Sequence, residues 1–415
     1  MRIAFADMMF SWPPHGGGDV DMFHVMDGAR RMGHEVRLFA VRDLDTWERG
    51  VLSQPTPFAV ETLEFSGSGF NGPTLAQRFG QAVAAWEPDA VFAGQGFLMK
   101  PHLLRALARW PLVSRYHAHE AACLRDMLRF LDGKPCPCAF LETPDICRAC
   151  SLERWGGEIR RGGANAWLRE YLGAKAWGAA YPELVRDALR GVDIALVSTA
   201  SMAASLEGLP KETRLFPSMV DISPFLAQPR DPAGCGRKVL FMPGRAEDPA
   251  KGHATLAAAA ERLWAKRRDF LVKATLPQDA TAAPWLEPLG WVSHREMPAL
   301  YAGAAVCVAP SLWEEPFGLV AVEAMAAGCP VAASRRGGLA DIMLDGETGL
   351  LFTPGDDAAL ADTLERLLDD AALRERLGAA GRKRARTEYG VETILERHYR
   401  PLWEDLARTR KGGGS

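Results

Sequence analysis

Short apolar segments alternate with helix-like stretches in two successive series, and this doubling constrains the fold more than any other feature of the chain. Ile3 to Ala6 reads as a strand, a helix passes through His24 to Arg31, and Gly33-His-Glu-Val-Arg-Leu-Phe-Ala40 reads as the next strand. This is the opening of a βαβ sheet. Asp89-Ala-Val-Phe-Ala93, Leu112-Val-Ser-Arg-Tyr116 and Asp193-Ile-Ala-Leu-Val197 continue it. Lys238-Val-Leu-Phe-Met242 starts the pattern again, followed by Phe270 to Thr275, Ala305 to Ala309 and Pro330 to Ala333. A length of 415 residues exceeds what one core organises, and 48% hydrophobic residues can fill two. The expected class is α/β, with two Rossmann-like domains whose strand ends line a central cleft. Between the series, Phe216 to Gly236 is rich in Pro, Gly and Asp, as a linker should be. The expected domains are 1–216 and 217–390, with a final helix over 391–410. No solenoid-length repeat interrupts this scheme.

In the second series, Glu315-Pro-Phe-Gly-Leu-Val-Ala-Val-Glu323 sets two carboxylates with seven residues between them, the second inside an apolar helical run. Pro316 and Gly318 open that helix, so the N–H groups of Phe317, Gly318 and Leu319 should point out of its start, a natural seat for a diphosphate. A carboxylate gains nothing against phosphate oxygens. Glu315 and Glu323 are therefore expected to accept hydrogen bonds from sugar and ribose hydroxyls. Gly328 should end the helix. Arg245 after Gly244 and Lys251 before Gly252 offer two cations for the charge of a leaving nucleoside diphosphate. In the first series, Pro13-Pro-His-Gly16-Gly17-Gly18 follows a strand and permits close backbone approach to a ligand, but its spacing is not that of a dinucleotide fingerprint. Tyr116-His117-Ala-His119-Glu120 again follows a strand.

Leu289-Gly-Trp-Val292, Ala309 to Gly318, Gly337-Gly338-Leu339 and Asp345 to Gly355 together resemble the retaining glycosyltransferase family 4, whose members have the GT-B fold. The resemblance spans most of the second half. It departs at Ser218-Met-Val-Asp221, where the family often has an Asn-Gly-Val-Asp-like turn. It implies transfer of a sugar from a nucleotide-diphosphate sugar with retention of configuration. Arg245 and Lys251 would hold the diphosphate and the backbone at Val292 would meet the nucleobase. Gly17 and Gly18 would lie near diphosphate and acceptor, and His117 would contact the donor sugar, with His119 and Glu120 as the next candidates. No catalytic metal is expected. Glu315 is the nearest candidate acid. The final helix would pack back on the first domain.

A net charge of −3 gives no drive toward nucleic acid, and no aromatic-basic interleaving suggests a single-strand channel. The first apolar run meets Asp7 too early for a signal peptide, and no stretch of about eighteen apolar residues occurs. A cytoplasmic protein is expected, with room for peripheral membrane contact. The acceptor stays open among small molecule, lipid-linked and protein, and the base and sugar of the donor are open too.

Five of the eight cysteines fall within 28 residues: Cys123, Cys136, Cys138, Cys147 and Cys150. The surrounding segment, about 120–160, is expected as a Cys-rich insertion in the first domain that cannot build its own core. In a reducing compartment a structural zinc held by four of the five is favoured over disulfides or free thiols. Family relatives with cysteines at a similar place match Cys123, Cys136, Cys147 and Cys150. Such a zinc has no open position and would shape acceptor binding rather than do chemistry. Cys235, Cys307 and Cys329 read as core or linker residues.

Two rival functions stand beside transfer. A sugar-nucleotide epimerase would need no acceptor. A catalytically silent sugar-nucleotide-binding partner subunit would be expected to lose some of Arg245, Lys251, Glu315 and Glu323.

Overall fold

A computed structural model describes residues 1–46, 50–163, 165–232, 236–280 and 283–412; Cys235 lies outside them. The strands, in chain order, are β1 (Arg2–Asp7), β2 (Glu35–Asp43), β3 (Ala59–Phe65), β4 (Ala90–Ala93), β5 (Leu112–Arg115), β6 (Phe130–Leu131), β7 (Lys134–Pro135), β8 (Ile194–Val197), β9 (Glu212–Leu215), β10 (Lys238–Met242), β11 (Phe270–Ala274), β12 (Leu286–Pro288), β13 (Val306–Ala309), β14 (Val331–Ser334) and β15 (Leu350–Phe352). They form a seven-stranded sheet in the order β3-β2-β1-β4-β5-β8-β9, a six-stranded sheet in the order β12-β11-β10-β13-β14-β15, and a β6-β7 hairpin. Every pairing in the two large sheets is parallel, and the hairpin is antiparallel.

The chain divides into two compact units. The first comprises Met1–Arg129, Cys136–Ser218 and Ile394–Ser415, the second Phe130–Pro135 and Met219–Thr393. In the first, β4, β5 and β8 are buried along their whole length, as strands covered on both faces must be. The Cys-rich segment does not stand apart: Leu124, Phe140, Cys147 and Trp155 belong to the core of this unit, and Trp155 Nε1 donates to the Leu124 carbonyl at 3.1 Å. Beyond Ile394 the chain continues as Leu395–Tyr399 and Arg400–Gly412. Its buried Trp403 packs on Phe5 of β1 and Phe92 of β4, with ring centroids 6.3 and 5.9 Å away.

The second unit has a hydrophobic cluster on each face of its sheet. Val239, Phe241, Cys307, Ala309, Val331 and Ala333 point to one, and Leu240, Met242, Val306, Val308 and Ala332 to the other. Strict alternation along β10, β13 and β14 produces the two layers. Cys307 and Cys329 are core residues. Among the described residues no helix is long and apolar enough to cross a membrane.

Candidate active site

Strand order reverses between β10 and β13 in the second unit, the place where open parallel sheets bind ligands at their carboxyl ends. The loop after β10 carries Arg245 and Lys251, and the loop after β13 carries Glu315. Leu312 N donates to the Ala250 carbonyl at 2.8 Å, tying the two loops together. Gly252 is left-handed (φ 77°), and a Cβ there would overlap the Pro310 carbonyl oxygen, so only glycine permits this approach.

Lys251 Nζ lies 2.6 Å from Glu315 Oε1, which also accepts from Ser311 Oγ at 2.7 Å. Glu315 is buried. Burial works to raise its carboxyl, but Lys251 and Ser311 outweigh it and hold the group below the ordinary 4.5. The Lys251 ammonium sits 5.2 Å from the centre of the Trp313 ring. Arg245 is two-thirds exposed and touches Asp248 at 3.5 Å, so its guanidinium can turn toward an arriving anion.

Gly318 (φ 104°) caps the Leu319–Ala326 helix, and Ala321 and Val322 are the first amides to close onto its carbonyl. The helix therefore opens at Gly318, Leu319 and Val320 rather than at Phe317. The Phe317 side chain is core, packed edge-on against Tyr389 at 5.7 Å, so only its backbone can serve a ligand. A Cβ on Gly244 would come 3.9 Å from Val320, which places the Gly244-Arg245 turn against the opening turn of this helix.

Glu323, one turn further in, accepts from Tyr301 Oη at 2.8 Å and pairs with His294 Nε2 at 3.3 Å. Both glutamates thus have protein partners where ligand hydroxyls were expected, although a carboxylate has further lone pairs to offer. The Glu323 contact raises the pKa of the half-exposed His294 above 6.5. Val292 is two residues before His294, so its backbone is in the same loop as the Glu323 pair.

The first unit has its own reversal, between β1 and β4. Gly17 and Gly18 form the first turn of the Gly17–Arg31 helix instead of a loop. Asp19 organises the approach to it, accepting from Ser11 N, His15 N, Gly16 N and Gln95 Nε2. A Cβ on Gly18 would overlap Gln95 Oε1. Asp7, at the end of β1, accepts from Met9 N, Phe10 N and Gln95 N, while burial pushes it up to about 7.

His117 Nε2 is 2.8 Å from Asp21 Oδ2, which also accepts from Arg115 Nε at 3.1 Å. Glu120 forms a buried ion pair with Lys100 at 2.6 Å and accepts from His117 N at 3.1 Å. His119 is buried, its backbone donating to Met127. The residues missed in the sequence are Asp21, Arg115, Asp19 and Gln95 here, and Ser311, Tyr301 and His294 in the second unit.

The cysteines are gathered but not arranged for a metal. Cys136, Cys138 and Cys150 lie within electrostatic reach of Cys147, and Cys136 within that of Cys123, while burial pushes the Cys147 and Cys123 thiols up. Arg125 contacts Cys150 Sγ through its guanidinium and Cys123 Sγ through its amide, both at 3.4 Å. Among the described residues no three or more His, Cys, Asp or Glu side chains are placed to hold a metal ion.

Residues 16–214 match the family described as "Glycosyl transferase 4-like domain", and residues 286–384 match "Glycosyl transferases group 1". A mannosyltransferase of Mycolicibacterium hassiacum, "MMP alpha-(1->4)-mannosyltransferase", is 35% identical over 246 residues, 56% of this chain and 58% of its own length. The chain thus spans little more than half of that relative. Sucrose-phosphate synthase from Thermosynechococcus elongatus superposes with a TM-score of 0.69 at 20% identity, over 98% of this chain and 100% of the other. Anabaena HepE, solved with UDP and glucose, does so with a TM-score of 0.63 at 18% identity, over 97% and 99%. With a glycosyl transferase 4-like domain followed by a group 1 domain in the GT-B fold, the chain is of the glycosyltransferase family 4 type.

Proposed function

We propose that the protein transfers a sugar from a nucleoside diphosphate sugar to an acceptor hydroxyl with retention of anomeric configuration. The observation that carries this reading is the Lys251–Glu315 pair, 2.6 Å apart at the strand-order reversal. It stands beside a helix opening that the Gly244-Arg245 turn approaches. The diphosphate lies on the amides of Gly318, Leu319 and Val320, with Lys251 and Arg245 meeting its charge. Glu315 holds the Lys251 ammonium in place at 2.6 Å, and Glu323 takes the ribose.

In the transfer, the bond from the anomeric carbon to the diphosphate oxygen breaks and its electron pair leaves with the diphosphate. The acceptor oxygen bonds to the same face of that carbon, and its proton passes to the departing phosphate oxygen. Cationic groups that stabilise the leaving anion lower this barrier most, because the charge develops there. The chain's task is positioning and neutralisation. The mannosyltransferase relative and the HepE complex with UDP and glucose support a hexose donor. Structural zinc at four of the five clustered cysteines is a second proposal, supported by the gathering of the thiols and requiring them to draw closer than their present placement.

Incubation with UDP-glucose and with GDP-mannose, following release of the nucleoside diphosphate, tests the reading. Release by the wild-type protein that Glu315→Ala and Lys251→Ala both abolish is expected. Undiminished release by both variants would defeat the site.

A further inference from the structure

The Pro144–Arg160 helix leaves three large apolar side chains in solvent: Ile146 is 61% exposed, Leu152 49% and Ile159 51%. Its other side seats it, with Cys147, Ser151 and Trp155 buried at four-residue intervals. Away from that row, Asp145, Ala149, Leu152, Glu153 and Arg160 are all exposed. Single apolar residues scattered over a surface need no explanation, whereas three on one helix of 17 residues mark a surface that something covers.

The same helix contains Gly156 and Gly157 in its interior, where glycine is less stable than alanine. Packing within the chain does not require them. A Cβ on Gly156 would come 3.5 Å from Arg160 Nη1, and one on Gly157 3.4 Å from Arg161 Nη1, both ends of flexible side chains. Gly156 follows Leu152 by four residues and precedes Ile159 by three, so it shares their surface. What it permits there is a close approach from outside the chain.

We propose that this helix face is a self-association surface, covered by the same helix of a second copy lying antiparallel. Asp145 at its start and Arg160 at its end favour that direction, because an antiparallel pair sets opposite charges together at both ends and a parallel pair sets like charges together. The Asp145 side chain is 90% exposed and, although it meets Arg148 at 3.0 Å, can accept a second cation. A twofold axis beside Leu152 and Glu153 places Asp145 of each copy against Arg160 of the other and Ala149 against Gly156, small against small. Leu152 then meets its own counterpart along one edge. Two acids and one base on this face do not suit an anionic membrane, whose surface helices carry Lys and Arg there. A contact one helix long, about 25 Å, is small for a stable interface, so the dimer is a weak one, in the micromolar range.

Sedimentation equilibrium of the full chain over roughly 1 to 200 μM reads the association directly. The wild type should pass reversibly from monomer to dimer. Gly156→Leu should abolish the dimer and raise the melting temperature of the monomer, which separates a blocked surface from a damaged fold. Asp145→Arg and Arg160→Asp should each weaken the dimer about tenfold, and an equal mixture of the two variants should restore it, since both ends are then attractive. A wild type that stays monomeric throughout would overturn the proposal. So would a dimer undiminished in Gly156→Leu, or a mixture no tighter than either variant alone. Binding of the monomer to phosphatidylserine-phosphatidylcholine vesicles, lost in Leu152→Glu, would assign the face to a membrane instead and overturn it too.

Discussion

Lys251 Nζ meets Glu315 Oε1 at 2.6 Å, joining the loops after β10 and β13 where the strand order of the second sheet reverses. The contact makes the cation part of the fold as well as of the site. Lys251→Ala leaves a buried carboxylate without its counter-charge and should cost about 3 kcal/mol of stability. Adding Glu315→Gln to it should return most of that, because the uncompensated charge is gone. Urea unfolding of the single and double variants measures the recovery, and nucleoside diphosphate release should fall about a hundredfold or more in Lys251→Ala.

The same pair gives a pH signature. Burial raises the Glu315 carboxyl and Lys251 with Ser311 lowers it further than that, so its folded pKa lies below 4.5. A group depressed on folding adds stability in full above its unfolded pKa and loses it as pH falls through the folded one. Between roughly pH 5 and pH 3 the wild type should lose stability more steeply than Glu315→Gln, measured as urea midpoints across that range.

His294 reports on Glu323. Because the Glu323 contact raises it against the opposing effect of burial, its imidazole should titrate above 6.5 in the ligand-free protein. Glu323→Gln should bring it down, read from the ring-proton shifts by NMR. A titration that does not move would break the Glu323–His294 contact.

Metal analysis settles the cysteine segment. Purified protein should carry about one zinc per chain if four thiols close into a tetrahedral site. Absence of zinc together with free thiols by titration would discard that proposal and leave Cys147 as a plain core residue, the role it already fills.

The central strands were legible in the sequence because both of their faces are buried. Ala90–Ala93, Ile194–Val197 and Val306–Ala309 are continuous apolar runs, as strands covered on both faces must be. Within the two large sheets the reading missed β3, β9, β12 and β15, which are their outer edges, and it also missed the short β6-β7 hairpin. Glu212–Leu215 is half polar, and Leu286–Pro288 and Leu350–Phe352 are three residues each, too short to show a period. The candidate donor residues Lys251 and Glu315 could be named because they follow neighbouring strands of one sheet, and Glu323 because it is a carboxylate inside an apolar helical run. Asp21 could not, because His117 is 96 residues away from it and only the sheet brings them together. At Phe317 the sequence reading concerned the backbone N–H alone, and the structure adds that the ring belongs to the core.

A crystal structure with UDP or GDP bound tests the central claim most directly. Density for the diphosphate should lie on the Gly318, Leu319 and Val320 amides, with Lys251 Nζ and the Arg245 guanidinium within hydrogen-bond reach and the ribose against Glu323. A diphosphate bound elsewhere, with Lys251 still closed on Glu315 and out of reach of any phosphate oxygen, would contradict it.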